Sequence, residues 1–216
     1  MTGSGIGRYL AVAVEVARKD FRLEARAKRA VPMAAALALL IVVVFAFSFE
    51  DRGTTSVLWV AFVFAGTLSV MRSLRIEAEN DALDAVLLAP IPHSAVYLGK
   101  VISATAFVSV VGAFTLGATR LFLGAAPGVS PVRVLATIVL FAIGFAAVSV
   151  LLASIAVYTR ITDLLLPVLL IPLVVPALLA GIELVGGGGT NWFTVLLGYD
   201  GIVLVSGLLV FEELVV

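Results

Sequence analysis

Long apolar runs without a single charge divide this chain, and they constrain its fold more than any other feature. Five such runs are clear, and a sixth contains one acid, Asp200. Each run is close to the ~20 residues that an α-helix needs to cross a bilayer. In lipid only helices and closed barrels satisfy every backbone group, so these runs predict membrane-spanning helices. The predicted spans are 30–49, 54–71, 101–119, 134–159, 164–182 and 192–211.

The composition supports a membrane protein. Of 216 residues, 62% are hydrophobic and only 13% are charged, whereas soluble domains carry about 25% charged residues. The chain has no cysteine and one histidine, which argues against a disulfide framework and against a metal site, so no metal is predicted. We therefore predict one all-α integral membrane domain over residues 1–216, with a helix before the first span (1–29) and a six-span bundle (30–216).

The lysines and arginines predict the orientation. If the N-terminus is cytoplasmic, six spans leave only Arg52, Arg120 and Arg133 of the fourteen basic residues on the outer side. Basic residues concentrate in cytoplasmic segments of membrane proteins. Both termini are therefore predicted to be cytoplasmic, as is the polar segment between the second and third spans.

The segment before the first span has the pattern of an amphipathic helix. Leu10, Val14, Ala17 and Phe21 recur at helical spacing along one side. Such a helix is expected to lie in the membrane interface, with its charged side near anionic headgroups. The alternative is a helical basic flank that only sets the topology. The charged side consists of Glu15, Arg18, Lys19, Arg22, Arg26 and Arg29.

A polar insert, residues 76–100, separates the second span from the third. A helix is predicted from Ile76 to Ala89, because Pro90 and Pro92 both lack a backbone donor. The helix would have an acidic face and an apolar face. The acidic face carries Glu77, Asp81 and Asp84, and the apolar face carries Leu83, Val86 and Leu87.

Only the acidic face of this helix is satisfied by water. The apolar face must meet a partner protein or its own bundle, so the insert is interpreted as a coupling helix, with a lid as the alternative. Arg72 and Lys100 bracket the insert and are predicted to anchor it at the membrane surface.

Two further features lie inside the predicted spans. Pro167, Pro172 and Pro176 interrupt the fifth span and form a candidate hinge. Asp200 is a candidate intramembrane acid, where a carboxylate costs about 2.5–3.5 kcal/mol on insertion scales. Alternatively, the stretch from Trp192 is a short re-entrant helix and the span begins at Asp200.

The chain lacks the motifs of catalysis. It has no nucleotide-binding loop, since the glycine run at 185–190 contains no lysine, and it has no zinc-protease or nucleophile-elbow motif. His93 lies in the predicted cytoplasmic turn beside two prolines, a poor place for a haem ligand. No catalytic residue is predicted, and ATP hydrolysis would belong to a separate chain.

The stretch from Leu58 to Lys100 resembles the CcmB family, the haem exporter protein B subunit of cytochrome c maturation. The resemblance extends to the proline-punctuated "LLLPVLLIPLVVPALL" and to the ending "FEEL", while Asp81 stands where that family usually has glycine. The residues that carry the resemblance are Trp59, Val60, Ala61, Leu83, Asp84, Pro90, Pro92, Leu98 and Lys100.

The resemblance implies an ABC-2-type membrane subunit of the prokaryotic inner membrane, active in haem export or delivery. It implies a CcmA-like ATP-binding partner, together with a CcmC-like haem-handling subunit, a second copy of the chain, or both. Haem would be handled rather than held as a cofactor, and no nucleic-acid partner is expected. The alternatives are a permease for a lipid, drug or polysaccharide, a secondary carrier, and an intramembrane enzyme. Few polar residues occur in the spans, which argues against the enzyme.

Overall fold

In the computed structural model the described residues are 3–27, 30–48, 54–79, 92–124, 130–159, 165–189 and 191–214. Almost all of these residues are helical, and none of them forms a strand. Helices satisfy their backbone groups internally, as lipid requires. The helices are α1 (Gly3–Ala27), α2 (Ala30–Ser48), α3 (Thr54–Glu79), α4 (His93–Leu123), α5 (Pro131–Thr159), α6 (Leu165–Val185) and α7 (Asn191–Leu214).

Five of the described helices are long and apolar enough to cross a membrane, namely α2, α4, α5, α6 and α7. Helix α7 is among them although it carries Asp200. The apolar part of α3 is shorter, Thr55–Met71, although the whole helix has 26 residues. At 1.5 Å per residue α3 is about 39 Å long, more than the ~30 Å hydrocarbon core. The chain is thus an all-helical, multi-pass membrane protein, and a sixth span through α3 stays a prediction.

Helix α5 occupies the centre of the bundle. It packs against α3, α4, α6 and α7. In its span 67% of the residues are buried, against 17% in the spans of α2 and α7. The other helices therefore bury few residues in the spans of α2 and α7, while they shield most of the α5 span.

An aromatic cluster joins α3 to α5. The ring centroids of Trp59 and Phe141 are 4.9 Å apart in an edge-to-face arrangement, and Phe62 lies 5.3 Å from Phe141. Phe145 extends the cluster by one turn of α5. Helix association in lipid depends on close packing of this kind, because the lipid tails are as apolar as the side chains.

Helix α4 comes close to α3 and α5 at a glycine. A Cβ atom on Gly112 would lie 2.5 Å from Cγ2 of Ile138 and 2.9 Å from Cε2 of Phe62. No side chain fits there without displacing a neighbour. Gly112 therefore sets how tightly these three helices pack.

Helix α1 packs on α4 through a different face from the one that the sequence predicts. Of the predicted apolar stripe only Ala17 is buried, whereas Leu10 and Val14 are 51% and 57% exposed. The buried face consists of smaller side chains at i, i+3, i+4 and i+7, which allow a closer approach of the two helices. These residues are Ala13, Val16, Ala17 and Asp20.

Helix α3 continues into the polar insert without a break. We predicted a separate helix beginning at Ile76, but α3 extends from Thr54 to Glu79. The reason is that nothing between Met71 and Ile76 stops a helix: the sequence changes from apolar to charged there, yet it contains neither proline nor glycine. The rest of the predicted coupling helix lies outside the described residues.

Candidate functional site

The structure describes the two ends of the insert. The backbone of Arg72 and of Glu77 lies in the last described turns of α3. At the far end Pro92 has an extended backbone, and α4 begins at His93 with Pro92 as its N-cap. No side chain caps this end of the helix by a hydrogen bond. The predicted docking residues Asp81, Leu83, Asp84, Val86 and Leu87 lie outside the described residues.

The first turns of α4 form a joint with three other helices. Tyr97 donates a hydrogen bond from its hydroxyl to the carbonyl oxygen of Ala147 in α5, at 3.1 Å. The same ring lies against Gly207 of α7, where a Cβ atom would collide with the hydroxyl. Val16 of α1 belongs to the same buried cluster. We call residues 95–103 the α4 joint, because this segment includes the end of the insert and contacts α1, α5 and α7.

Lys100 lies within this joint. We predicted it as an anchor at the membrane surface, but only 5% of the residue is exposed. Its carbonyl oxygen is 2.9 Å from Oγ of Ser103, one turn further along α4. The role of Lys100 as an anchor stays a prediction, and its burial shows that it is part of the packed joint.

Asp20 of α1 is the buried acid of the joint, with 6% of the residue exposed. Oγ of Ser103 lies 3.0 Å from Oδ2 of Asp20 and donates to it. Nζ of Lys19 lies 3.3 Å from Oδ1 of the same carboxylate. Oδ2 thus has one hydrogen bond, while Oδ1 has no hydrogen bond among the described residues and is compensated by the charge of Lys19 alone. Asp20 therefore fixes α1 to α4.

Gly99 brings the backbones of α1 and α4 together beside this acid. A Cβ atom on Gly99 would lie 2.5 Å from the carbonyl oxygen of Ala13 and 2.7 Å from Cβ of Val16. The first of these is a backbone atom, which cannot turn away as a flexible side chain can. Glycine is therefore required at this position for α1 to dock.

Asp200 is a second buried acid, at the contact between α7 and α5. Helix α7 runs unbroken from Asn191 to Leu214, so the stretch from Trp192 is not a separate re-entrant helix. Asp200 lies within the candidate span Asn191–Glu212 and is 4% exposed. Its Oδ1 lies against Gly144 of α5, where a Cβ atom would collide with it.

Neither carboxylate oxygen of Asp200 has a hydrogen-bond partner among the described residues. A buried carboxylate in this situation is costly, because the adjacent backbone of Gly144 does not replace the hydrogen bonds that it made with water. The acid is therefore not explained by the stability of the bundle. Sequence reasoning could place Asp200 in a span but could not show that the bundle leaves it without a partner.

The candidate hinge lies in α6. Tyr199, the residue before Asp200, contacts it from α7. Pro172 and Pro176 lie inside α6, whereas Pro167 falls in its first turn, where a missing donor breaks no bond of the helix. Pro176 leaves the carbonyl oxygen of Pro172 without its helical donor. One residue further on, Leu173 accepts a hydrogen bond from the Tyr199 hydroxyl, at 2.9 Å. Tyr199 thus fastens α7 to the interrupted part of α6.

An apolar groove lies on the outside of the bundle between α2, α3 and α6. Its volume is about 640 Å³. Trp59, Phe64 and Ile171 are among its lining residues, and the only polar ones are Ser56 and Thr67. Any molecule that occupies this groove must be mainly apolar.

Catalytic or metal-binding groups do not come together in the described part of the chain. No group of three or more His, Asp or Glu side chains is placed there to hold a metal ion. Asp20 and Asp200 belong to different helix contacts. The geometry of the described residues therefore supports a packed membrane bundle with a joint at one end.

Comparisons with known proteins identify the family. The sequence pattern of the CcmB protein family matches residues 11–211, nearly the whole chain. No curated protein matches the chain significantly. The matched range includes α2 to α6, the insert, most of α1 and α7 up to Phe211. The chain therefore belongs to the CcmB family.

Proposed function

We propose that this chain is the membrane subunit of an ABC transporter that handles haem in cytochrome c biogenesis. The observation that carries the proposal is the family match over residues 11–211. The five long apolar helices fit a multi-pass membrane subunit. In this proposal the subunit sits in the inner membrane of a prokaryotic cell with both termini cytoplasmic, and haem is the molecule transported or delivered.

ATP hydrolysis in this proposal takes place in a separate, CcmA-like chain. The sequence contains no nucleotide-binding loop. A CcmC-like haem-handling subunit, a second copy of this chain, or both complete the complex. The chain itself has a non-catalytic, transporting role.

The insert between α3 and α4 is the proposed contact with the ATPase. A motor biases a conformational equilibrium only through contacts that differ between its states. The insert continues directly from α3 at one end and enters α4 at the other. Displacing it would move the α4 joint, and the joint is packed against α1, α5 and α7. Motion imposed at the insert would therefore reach most of the bundle.

A second substrate class has one observation in its favour. The apolar groove between α2, α3 and α6 suits the acyl chains of a lipid. A permease for a lipid would share the fold, the ATPase partner and the insert. The identity of the co-purified small molecule separates the two proposals.

The test is purification of the tagged chain from its native membrane, followed by identification of the proteins and small molecules that accompany it. We expect an ATPase with a nucleotide-binding loop, together with haem or a haem-binding subunit. Membranes that carry the same tag on an unrelated multi-pass protein provide the control. A chain that purifies without any ATPase and transports a solute alone would overturn the proposal.

The proposed topology has its own test, which uses the absence of cysteine from the chain. Single cysteines placed at Glu50 and Pro127 should react with an impermeant thiol reagent from the outer side of intact cells. A cysteine at Asp81 should react only after the membrane is opened. Labelling of Asp81→Cys in intact cells would contradict the cytoplasmic insert.

A further inference from the structure

A second groove lies between α1 and α4. Its volume is about 580 Å³. Large apolar side chains form its floor, and two arginines stand at its rim. The lining residues are Val14, Ala17, Arg18, Phe21, Arg22 and Ile102.

The floor of this groove is apolar surface that the bundle does not cover. Val14 is 57% exposed, Ile102 is 42% exposed and Phe21 is 39% exposed. These side chains come from two helices and line one continuous depression. An occupant must therefore present hydrocarbon to them.

The rim of the groove is basic. Arg18 and Arg22 are one helical turn apart, so both guanidinium groups project from the same side of α1. Arg18 has an ion pair with Glu15 at 3.7 Å, but both side chains are more than half exposed, and such pairs are weak. The buried Asp20 is engaged by Lys19 and Ser103. The occupant must therefore be anionic as well as apolar.

The groove is preformed, because its two walls are fixed to each other. Gly99 packs against Ala13, and Ser103 donates to Asp20. The ring of Phe21 contacts the ring of Phe107 edge to face, with centroids 5.1 Å apart. A preformed site binds without the entropic cost of ordering its walls.

The position along α4 places the groove near the membrane boundary. Helix α4 has 31 residues, about 46 Å, so it exceeds the ~30 Å core by several turns. Ile102 lies about 14 Å from the start of α4. At this depth the acyl chains of a lipid meet its headgroup.

We propose that this groove binds one anionic phospholipid. An acyl chain lies on Val14, Phe21 and Ile102, and the phosphate lies between Arg18 and Arg22. The site goes beyond the proposed function: it requires only that the bundle is in a membrane, and it involves neither haem nor the ATPase. Its failure would leave the transporter proposal intact.

The test measures lipid retention by the full-length chain. The protein is reconstituted in nanodiscs of phosphatidylcholine and phosphatidylglycerol in equal parts, and it is then released for native mass spectrometry. We expect one phosphatidylglycerol to remain bound to the wild-type chain. Each basic residue near an anionic headgroup contributes about a factor of five, so Arg18→Gln with Arg22→Gln should reduce retention about twenty-five-fold.

Two control variants separate this site from general attraction to an acidic surface. Arg8→Gln removes an arginine from the same helix outside the groove and should leave retention unchanged. Phe21→Ser keeps both arginines but removes part of the floor, so it should reduce phosphatidylglycerol retention. Binding of an anion to the arginines alone would be insensitive to Phe21→Ser.

Unchanged retention in Phe21→Ser would overturn the proposal, and so would three other results. One is equal retention by the double arginine variant and the wild type, and another is equal loss in Arg8→Gln. The third is a dimer of the chain that excludes lipid from the groove. Circular dichroism of each variant checks that α1 stays helical.

Discussion

Asp20 and Asp200 are two aspartates in the middle of long helices, buried to the same degree, with opposite surroundings. Asp20 is 6% exposed and Asp200 is 4% exposed. Asp20 accepts a hydrogen bond from Ser103 and lies beside Lys19. Asp200 has no hydrogen-bond partner among the described residues and lies against a glycine. The difference indicates that Asp20 holds the joint together, whereas Asp200 lowers the stability of the α5–α7 contact.

The largest contrast is expected from the same substitution at both acids. Asp20→Asn removes a charge that Ser103 and Lys19 compensate, and hydrogen bonds to charged groups are worth about 1.5–3 kcal/mol. Asp200→Asn removes a buried charge without a partner, so stability should be unchanged or higher. Thermal unfolding of both variants in the same detergent measures the two changes in stability. Equal losses at the two positions would show that Asp200 has a partner beyond the described residues.

A glycine substitution tests how tightly α1 packs on α4 beside Asp20. Gly99→Ala should destabilise the chain by about 1–3 kcal/mol, because the new methyl group meets the backbone of Ala13. Gly117→Ala in the same helix is the control, since nothing lies within 4 Å of its added Cβ. Alanine should be neutral or stabilising there. Unfolding temperature and protease sensitivity of α1 are the measurements.

The α6–α7 contact beside Asp200 depends on one hydrogen bond that can be removed alone. Tyr199→Phe deletes the donor to the Leu173 carbonyl and should cost about 0.5–1.5 kcal/mol. Tyr97→Phe removes the hydrogen bond from the α4 joint to the carbonyl oxygen of Ala147 in α5, and it serves as the comparison. If Tyr199→Phe leaves the unfolding temperature unchanged while Tyr97→Phe lowers it, the tyrosine does not fasten α6.

The smallest effect is expected at the exposed pair of α1. Glu15 and Arg18 are 3.7 Å apart with 69% and 60% of their side chains exposed. Glu15→Gln should therefore change stability by less than about 1 kcal/mol. A loss as large as that of Asp20→Asn would mean that burial does not distinguish the acids of α1.

Five candidate spans were predictable because lipid imposes a length and a composition that a single sequence displays. The start of the insert helix was predicted wrongly, since we placed it at Ile76, where charged residues begin, although no proline or glycine interrupts the backbone of α3 there. The face of α1 that packs on α4 was also predicted wrongly. Leu10 and Val14 have the larger apolar side chains, but Ala13 and Val16 permit a closer approach of α1 to α4.

The site was predictable only in part. Asp200 is visible as an acid in an apolar run, but its isolation depends on what α5 places beside it. Asp20 looked like one charge among many in a basic helix, and its partner Ser103 is 83 residues away. Such pairings arise only when the helices pack.

We propose that a separate ATPase drives this bundle through the insert, and two substitutions on the predicted docking face test this most directly. Leu83→Ser with Leu87→Ser removes two apolar side chains from the predicted docking face. Each buried side chain is worth about 1.5–3 kcal/mol, so affinity for the ATPase should fall at least about a hundredfold. Leu121→Ser, at the other end of α4 and 79% exposed, is the control and should bind normally.

The measurement is the binding curve of the co-purified ATPase with each variant in nanodiscs, together with stimulated ATP hydrolysis. We expect the double variant to insert normally but to lose both binding and stimulation. Wild-type affinity with full stimulation would contradict this expectation and would make the insert a lid on its own bundle.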